Sequence, residues 1–490
     1  MPFLLFNSST LLLNDIIFVS FCYFYFRLLV FIFDYFVSLH ASHEIIRAIQ
    51  VIMGKSIKKT VGSINQVLVI LFLLMLNIVP IQNNYAQQKA KPRILISTDI
   101  GGTDDDDFQS MIHLLMYSNQ FEIEGLVSSP FGNGRKKNIL DMIDLYEKDL
   151  PELKKHEKGF PDPNSLRKIT KQGVIESAPY IGYAKPTEGS DWIIKCAKKK
   201  SDQPLWVLVW GGIEDLAQAL HDAPEIQKNI RVYFIGGPNK KWCINAYAYV
   251  AENFPNLWMI EANATYRGWF MDKEAPENIT AKTYYPNYID GRGAMGKDFI
   301  KYYRGEIKMG DTPSLAYLMN GNPNDPTGES WGGQFTPIQR SSRNIFTSNT
   351  TIIDTVAAYA VLEWRFKGPE LKIAKDSACF ELETGNQLWP GYYLGNGNYA
   401  VRYSSKKPET GSYVIKSSIS ELNGQSGQYT SIVPWPGKPN SDDYILGANW
   451  YGDLIDPKMF IDEQQGAKTI SKFREAFLLD WAKRWAWLKK

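Results

Sequence analysis

Arg93-Ile-Leu-Ile-Ser-Thr-Asp99-Ile-Gly-Gly-Thr-Asp104-Asp-Asp-Asp107 is an apolar run that ends in five aspartates separated only by Ile100 and small residues. The run reads as a buried strand and the acidic stretch as the loop at its end. Like charges about 4 Å apart repel by roughly 4 kcal/mol at an effective dielectric of about 20. Unless it is merely a solvated turn, such a loop needs a metal or protons to neutralise it.

Outward from this loop, short apolar runs alternate with helix-period segments, the pattern of parallel βαβ units. Strands are expected at 93–98, 121–128, 205–210, 230–235 and 257–261, with helices from Phe108 and near 137–149, 189–199, 213–221 and 244–253. Ligands in such sheets bind beyond the carboxyl ends of the strands. Three polar clusters fall there: Asp99 to Asp107, Ser128-Ser-Pro-Phe-Gly-Asn133, and Gly211-Gly-Ile-Glu214-Asp215. Gly310-Asp311 lies later, before a short helix, where Asp311 also reads as an ordinary helix N-cap. Asn320 to Gly328 reads as a surface loop, 353–366 as a helix, 375–440 as antiparallel β structure, and Thr469 to Leu488 as one long amphipathic helix.

These motifs resemble the nucleoside hydrolases, and more closely their secreted branch labelled cellulose-binding protein, over roughly residues 92–345 plus the last helix. Asp99, Gly101/Gly102 and Asp106-Asp107 match the family opening, with Thr103 to Asp105 as extra residues of the branch. Gly125 to Asn133 looks like the family's second strand, ending in a Gly-Asn that meets the sugar. Gly211 to Ala217 is similar to the turn that gives calcium a backbone carbonyl, here at Glu214. Tyr266-Arg-Gly268 and Glu329-Ser-Trp-Gly-Gly333 look like motifs of the branch.

The resemblance implies an α/β, Rossmann-like nucleoside hydrolase fold with a mostly parallel central sheet, plus a β-rich insertion near the C-terminus. It implies a hydrolase of glycosyl bonds. Asp99, Asp107, Asp311 and the Glu214 carbonyl would hold a calcium ion, and the oxygen-only donor set suits a hard cation. Asp99 and Asn133 would act in catalysis. Asp106, Asn133, Trp210, Trp269, Glu329 and Trp331 would contact substrate, the tryptophans by stacking if they are not core residues. Many family members have a His before the last metal Asp as leaving-group acid, and Gly310 stands there. The leaving group then needs no strong acid, or a residue such as Glu329 supplies the proton, or the site binds carbohydrate without hydrolysis. His113, His156 and His221 read as structural or surface residues, and Asp104 and Asp105 as spacer or rim.

Asp99-Ile-Gly-Gly-Thr103 also looks like the phosphate loop of actin-like sugar kinases. The four aspartates that follow repel phosphate and lead into a helix, which is the wrong element. An EF-hand lacks its glycine and glutamate at the required offsets.

Upstream, Met53-Gly-Lys55-Ser-Ile-Lys58-Lys59, the apolar run Val67 to Val79 and Asn84-Tyr85-Ala86 have the order of a secretory signal. We expect 53–86 to be a signal peptide and 1–52 upstream sequence read as protein, with a two-helix anchor as the alternative. The hydrolase-like domain is expected over 92–366, the β-rich insertion over 367–450 and a completing helix over 451–490. Loss of 1–86 removes five of 54 basic and three of 52 acidic residues and leaves 49 of each. An electroneutral exported chain argues against a nucleic-acid polymer and for a sugar-containing molecule or glycan in the periplasm or outside the cell. No stable membrane insertion is expected once the signal is removed, and a homo-oligomer stays open. Cys196, Cys243 and Cys379 are odd in number and lack metal-ligand spacing.

Overall fold

The computed structural model describes residues 90–488 apart from Phe131 and Asp272, so the expectations for residues 1–86 lie outside the described residues. Arg93–Thr98 forms β1, buried along its whole length. A strand covered on both faces needs the continuous apolar run this segment carries. Glu122–Ser128 (β2), Thr170–Gln172 (β3), Leu205–Val209 (β4), Ile230–Ile235 (β5) and Trp258–Ala262 (β6) line up in the order 3-2-1-4-5-6, all parallel. Helices α1 (Asp106–Met116), α2 (Lys136–His156), α3 (Glu188–Ala197), α4 (Glu214–Asp222), α5 (Gly237–Trp242) and α6 (Ile244–Asn253) fall between strands, and α7 (Thr312–Met319) follows them. The chain builds β2 and β3 on one side of β1 and then β4 to β6 on the other. The switch point therefore lies between the carboxyl ends of β1 and β4, where Asp99 and Gly211 stand.

Two more strands extend the sheet. Phe335–Pro337 (β7) and a late strand, Trp450–Asp453, close it, the late one parallel to β6 and antiparallel to β7. Between them the chain builds a second, mostly antiparallel sheet. Arg340–Ser341 is β8, and Arg343–Phe346 (β9), Thr355–Ala357 (β10), Val361–Lys367 (β11), Ser377–Thr384 (β12), Gln387–Gly395 (β13), Asn398–Tyr403 (β14), Glu409–Lys416 (β15) and Ser426–Ile432 (β16) order as 10-16-15-12-13-14-11-9. Tyr444–Ile445 (β17) pairs with β8, and Trp450–Asp453 is β18.

Two expectations are corrected here. Residues 353–366 are not helical but supply β10 and β11, so the second sheet begins at Arg343. Val356 to Trp364 is buried without interruption, and a run buried on every side carries no period that separates helix from strand. The final helix is not continuous either. A turn at Lys468–Ser471 precedes α8 (Arg474–Trp485), whose Phe477, Trp481 and Trp485 are buried. Arg484 of α8 donates to the Met116 carbonyl at 2.8 Å and so braces the far end of α1.

One buried cluster fastens the second sheet to the loop that carries Tyr180. Glu363 of β11 is fully buried and accepts from Arg402 Nε at 2.8 Å, Arg343 Nη2 at 2.8 Å and Tyr180 Oη at 2.8 Å. Arg402 also donates to the Tyr180 carbonyl at 2.8 Å. Burial pushes the Glu363 carboxyl up, but Arg402 and Arg343 overcome it and hold the group at about 2. Among the described residues no helix is long and apolar enough to cross a membrane. The three described cysteines are free.

Candidate functional site

Asp99 follows the last residue of β1, and Asp106 and Asp107 open α1, whose partly positive N-terminus favours carboxylates there. Asp311 stands before α7, brought in from some 200 residues away. Asp99, Asp106, Asp107 and Asp311 are each at least 93% buried. Asp311 makes no side-chain cap on α7, so the N-cap reading fails and its carboxylate is left to the cluster. Thr98 Oγ1 donates to Asp107 Oδ1 at 2.8 Å. Carboxylate oxygens of Asp104, Asp106 and Asp107 lie within 4.8 Å of one another.

Glycines make this convergence feasible. A Cβ on Gly211 would sit 2.6 Å from Asp99 Cγ, so the turn after β4 approaches Asp99 only because it has no side chain. A Cβ on Gly310 would sit 2.7 Å from Asp106 Oδ2, which accepts the Gly310 amide at 2.7 Å. The close Asp106–Gly310 contact thus leaves no room for a side chain at position 310 unless Asp106 shifts.

Lys308 was not singled out from sequence. Its Nζ bonds Asp104 Oδ2 at 2.5 Å and Asp106 Oδ1 at 2.8 Å. Asp105 Oδ1 accepts the Tyr303 amide at 2.8 Å. Asp104 and Asp105, expected as spacer or rim, also tie the acidic loop to the 303–308 segment. A lone lysine three residues before Asp311 is the signal that could have pointed to Lys308.

Charge remains in excess. Burial pushes Asp99 up to about 7 despite a hydrogen bond shared with Asp107, with the Asp104 and Asp106 charges adding to the rise. Burial likewise raises Asp106 to about 6 against the pull of Lys308. Asp107 and Asp311 are driven well above the carboxylate range by burial, then by each other or by their neighbours Asp99 and Asp106. One ammonium does not balance these groups. Buried polar atoms without partners lie at or after the ends of β2, β4 and β6, namely Ser128 Oγ, Ser129 Oγ, Glu214 Oε2 and Asn263 Oδ1, and at the start of α7, Thr312 Oγ1. Unpaired buried polar atoms and crowded carboxylates call for an ion or water. The donors are all oxygen, which fits a hard divalent cation.

The other expected residues are distributed as follows. Glu214 is the first residue of α4 and is buried, with its carboxyl pushed up to about 8 by burial and then by Asp215. Asp215 instead ties the chain locally, accepting from Thr187 Oγ1 at 2.5 Å and the Val174 amide. Asn133 is exposed on the turn after β2, and neighbouring Gly132 lies against Gly102 of the acidic loop. Trp210 is a core residue, 1% exposed, with Nε1 donating to Ser314 Oγ at 2.7 Å. Trp269 is stacked on Phe477 at 3.3 Å and equally buried. Neither ring leaves a face open for a sugar, because both fill volume under the last helix and α7. Trp331 is half-buried, edge-on to Phe477, and Glu329 is exposed with Lys472 on its carboxylate. His113 is buried among Tyr117, Trp269 and Trp481, and burial lowers it to about 3. His156 stacks on Trp487, and His221 on Tyr183.

Asn263 was missed. It follows β6, is fully buried, and donates to Glu261 Oε1 at 2.9 Å. Glu261 is itself paired with the fully buried Lys240 at 2.8 Å. The strand-end rule that found Asp99 reaches Asn263 once β6 is extended to Ala262.

An α/β sheet with a cluster of buried carboxylates at its switch point has its polar groups where such sheets bind small ligands. Residues 93–335 match the family described as cellulose-binding Sde182, nucleoside hydrolase-like domain, and this segment of the chain belongs to it. Residues 355–418, within the second sheet, match a domain of unknown function, DUF5060. The chain is similar to a nucleoside hydrolase-related protein from Saccharophagus degradans associated with carbohydrate metabolism, at 18% identity over 70% of this chain and 99% of that one, TM-score 0.44. It is similar to an inosine-uridine preferring nucleoside hydrolase from Bacillus anthracis at 18% identity, covering 52% and 87%, TM-score 0.31. A purine-preferring ribonucleoside hydrolase from Gardnerella vaginalis overlaps at 15% identity, covering 51% and 84%, TM-score 0.32. No curated protein matches the chain. At these overlaps the fold assignment rests on the sheet order and the family match.

Proposed function

We propose that the chain is an exported, calcium-assisted hydrolase of N-glycosyl or other glycosyl bonds. The observation that carries this reading is the gathering of Asp99, Asp106, Asp107 and Asp311, all buried, at the switch point, where Lys308 pairs with Asp106 alone of the four. Asp99, Asp107 and Asp311, with the Glu214 carbonyl, would hold the ion, which when bound supplies Lewis acidity that lowers the pKa of a nearby water. Asp99 takes the proton of the attacking water. Asp106, fixed by Lys308 and the Gly310 amide, presents its carboxylate to a sugar hydroxyl, with Asn133 approaching from the turn after β2. Negative charge beside the anomeric carbon favours an oxocarbenium-like transition state. The family description and the aromatic-rich second sheet support a glycan or other sugar-containing ligand and a location in the periplasm or outside the cell.

A second reading, carbohydrate binding without hydrolysis, is favoured by Gly310 and by the engagement of Glu329 with Lys472, which leave the leaving-group acid unassigned. The discriminating experiment supplies the purified chain with calcium and assays aryl ribosides, nucleosides and oligosaccharides beside Asp99→Asn. Turnover abolished by the substitution supports the hydrolase. Equal inactivity of both proteins, with a glycan column still retaining them, establishes binding alone.

A further inference from the structure

We propose that the cleft between α5 and the second sheet binds an anionic saccharide, seating a carboxylate or sulfate ester against Lys241, Lys406 and Lys407. This rests on the saccharide reading above and adds the charge of the ligand. The cleft encloses about 870 Å³, within the range of ligand sites, and runs from Asp104 of the acidic loop past Trp242 and Tyr403 to the two exposed lysines.

Lys241 is the central observation. It is 6% exposed, and its ammonium has one hydrogen-bonding partner, Gln387 Oε1 at 2.8 Å, an uncharged amide. Its remaining support is the faces of Trp242 and Trp389, at 4.6 and 5.1 Å. A buried cation without a counter-ion is costly, and burial, reinforced by Lys406, pulls Lys241 down to about 8. Lys406 and Lys407 line the same cleft, are exposed, and form no ion pair with described residues. Two carboxylates also face it. Asp104 is already taken by Lys308, and Glu409 lies beside Tyr429 Oη at 3.4 Å. Three ammonium groups therefore face one uncommitted carboxylate, and a ligand anion supplies the missing charge. Because Asp104 forms the rim, a chain of sugars seated here has one end beside the acidic centre.

The test is calorimetric titration of the full chain with trigalacturonate, its methyl ester, a sulfated oligosaccharide and cellotriose. The acidic sugars are expected to bind at least about tenfold more tightly than the methyl ester or cellotriose, with affinity falling as salt rises. Preference between trigalacturonate and the sulfated sugar tells which anion the cleft takes. K406A/K407A, on exposed positions that do not threaten folding, is expected to lose about tenfold of that affinity with an unchanged melting temperature, and Lys241→Met more. Equal binding of all four sugars overturns the anionic inference while leaving the saccharide reading intact. Absence of any sugar binding overturns the inference, and a single-stranded RNA bound in a Lys406-dependent way without sugar binding overturns both.

Discussion

The acidic centre and the Glu363 cluster are both buried and charged, yet they are built on opposite principles. Glu363 is surrounded by Arg343, Arg365 and Arg402 within one sheet, and its carboxyl is held at about 2. At the end of β1 the ratio is reversed: of Asp99, Asp106, Asp107 and Asp311 only Asp106 pairs with a cation, Lys308, and the carboxyls of all four rise. The first cluster is closed by the chain itself and holds the second sheet to the Tyr180 segment. The second is left short of positive charge, the condition of a site that expects something from outside.

The largest way to break this contrast is Glu363→Ala, which leaves buried arginines unpaired. It is expected to cost about 3–5 kcal/mol in chemical denaturation, with no rescue by calcium. A loss below about 1 kcal/mol would mean that the cluster does not fasten the sheet.

Next in size is pH. Asp99 and Asp106 have folded pKa values raised above the unfolded carboxylate, so their contribution is full below about pH 4 and is lost as pH rises through about 6 to 7. Melting temperature in chelator should fall over that window by several degrees, on the order of 2 kcal/mol, and calcium should flatten the curve. Glu363 runs the other way, stabilising above about pH 4.5 and losing that as pH falls toward 2. A cation-free curve that is flat from pH 4 to 8 would remove the idea of an unbalanced centre.

Asp107→Asn then separates binding from stability. Calcium affinity is expected to fall at least about tenfold, or 1.4 kcal/mol, while the cation-free melting temperature holds or rises because a buried carboxyl that resists ionisation is gone. A cation-free loss like that of Glu363→Ala would make the two clusters alike. The smallest effect is expected for Asp105→Ala, which removes one acceptor from the Tyr303 amide and should cost under about 1 kcal/mol by thermal melting.

Much of the first sheet was legible because its strands are covered on both faces and must be written as apolar runs; β1 and β5 fall on their expected residues. The same rule misled at 353–366, where a run buried on all sides has no surface to print a period. The aspartates were legible because each follows a strand or opens a helix. Lys308 was not, since its partner Asp106 is 202 residues away and only the folded chain brings them together. Trp210 and Trp269 failed for a related reason: a tryptophan's type does not say whether its ring meets solvent or core.

Strand β18 has a consequence for the growing chain on the ribosome. Asp453 at its end accepts the Ala264 and Thr265 amides at 2.8 and 3.1 Å, and its backbone pairs with β6. Until residues 450–453 emerge, β6 presents an open hydrogen-bonding edge, and the loop carrying Asn263 lacks its clasp. The entire second sheet is translated in that interval. A nascent chain halted anywhere within it therefore carries an unfinished centre and a sticky border, the substrate for which holding chaperones exist.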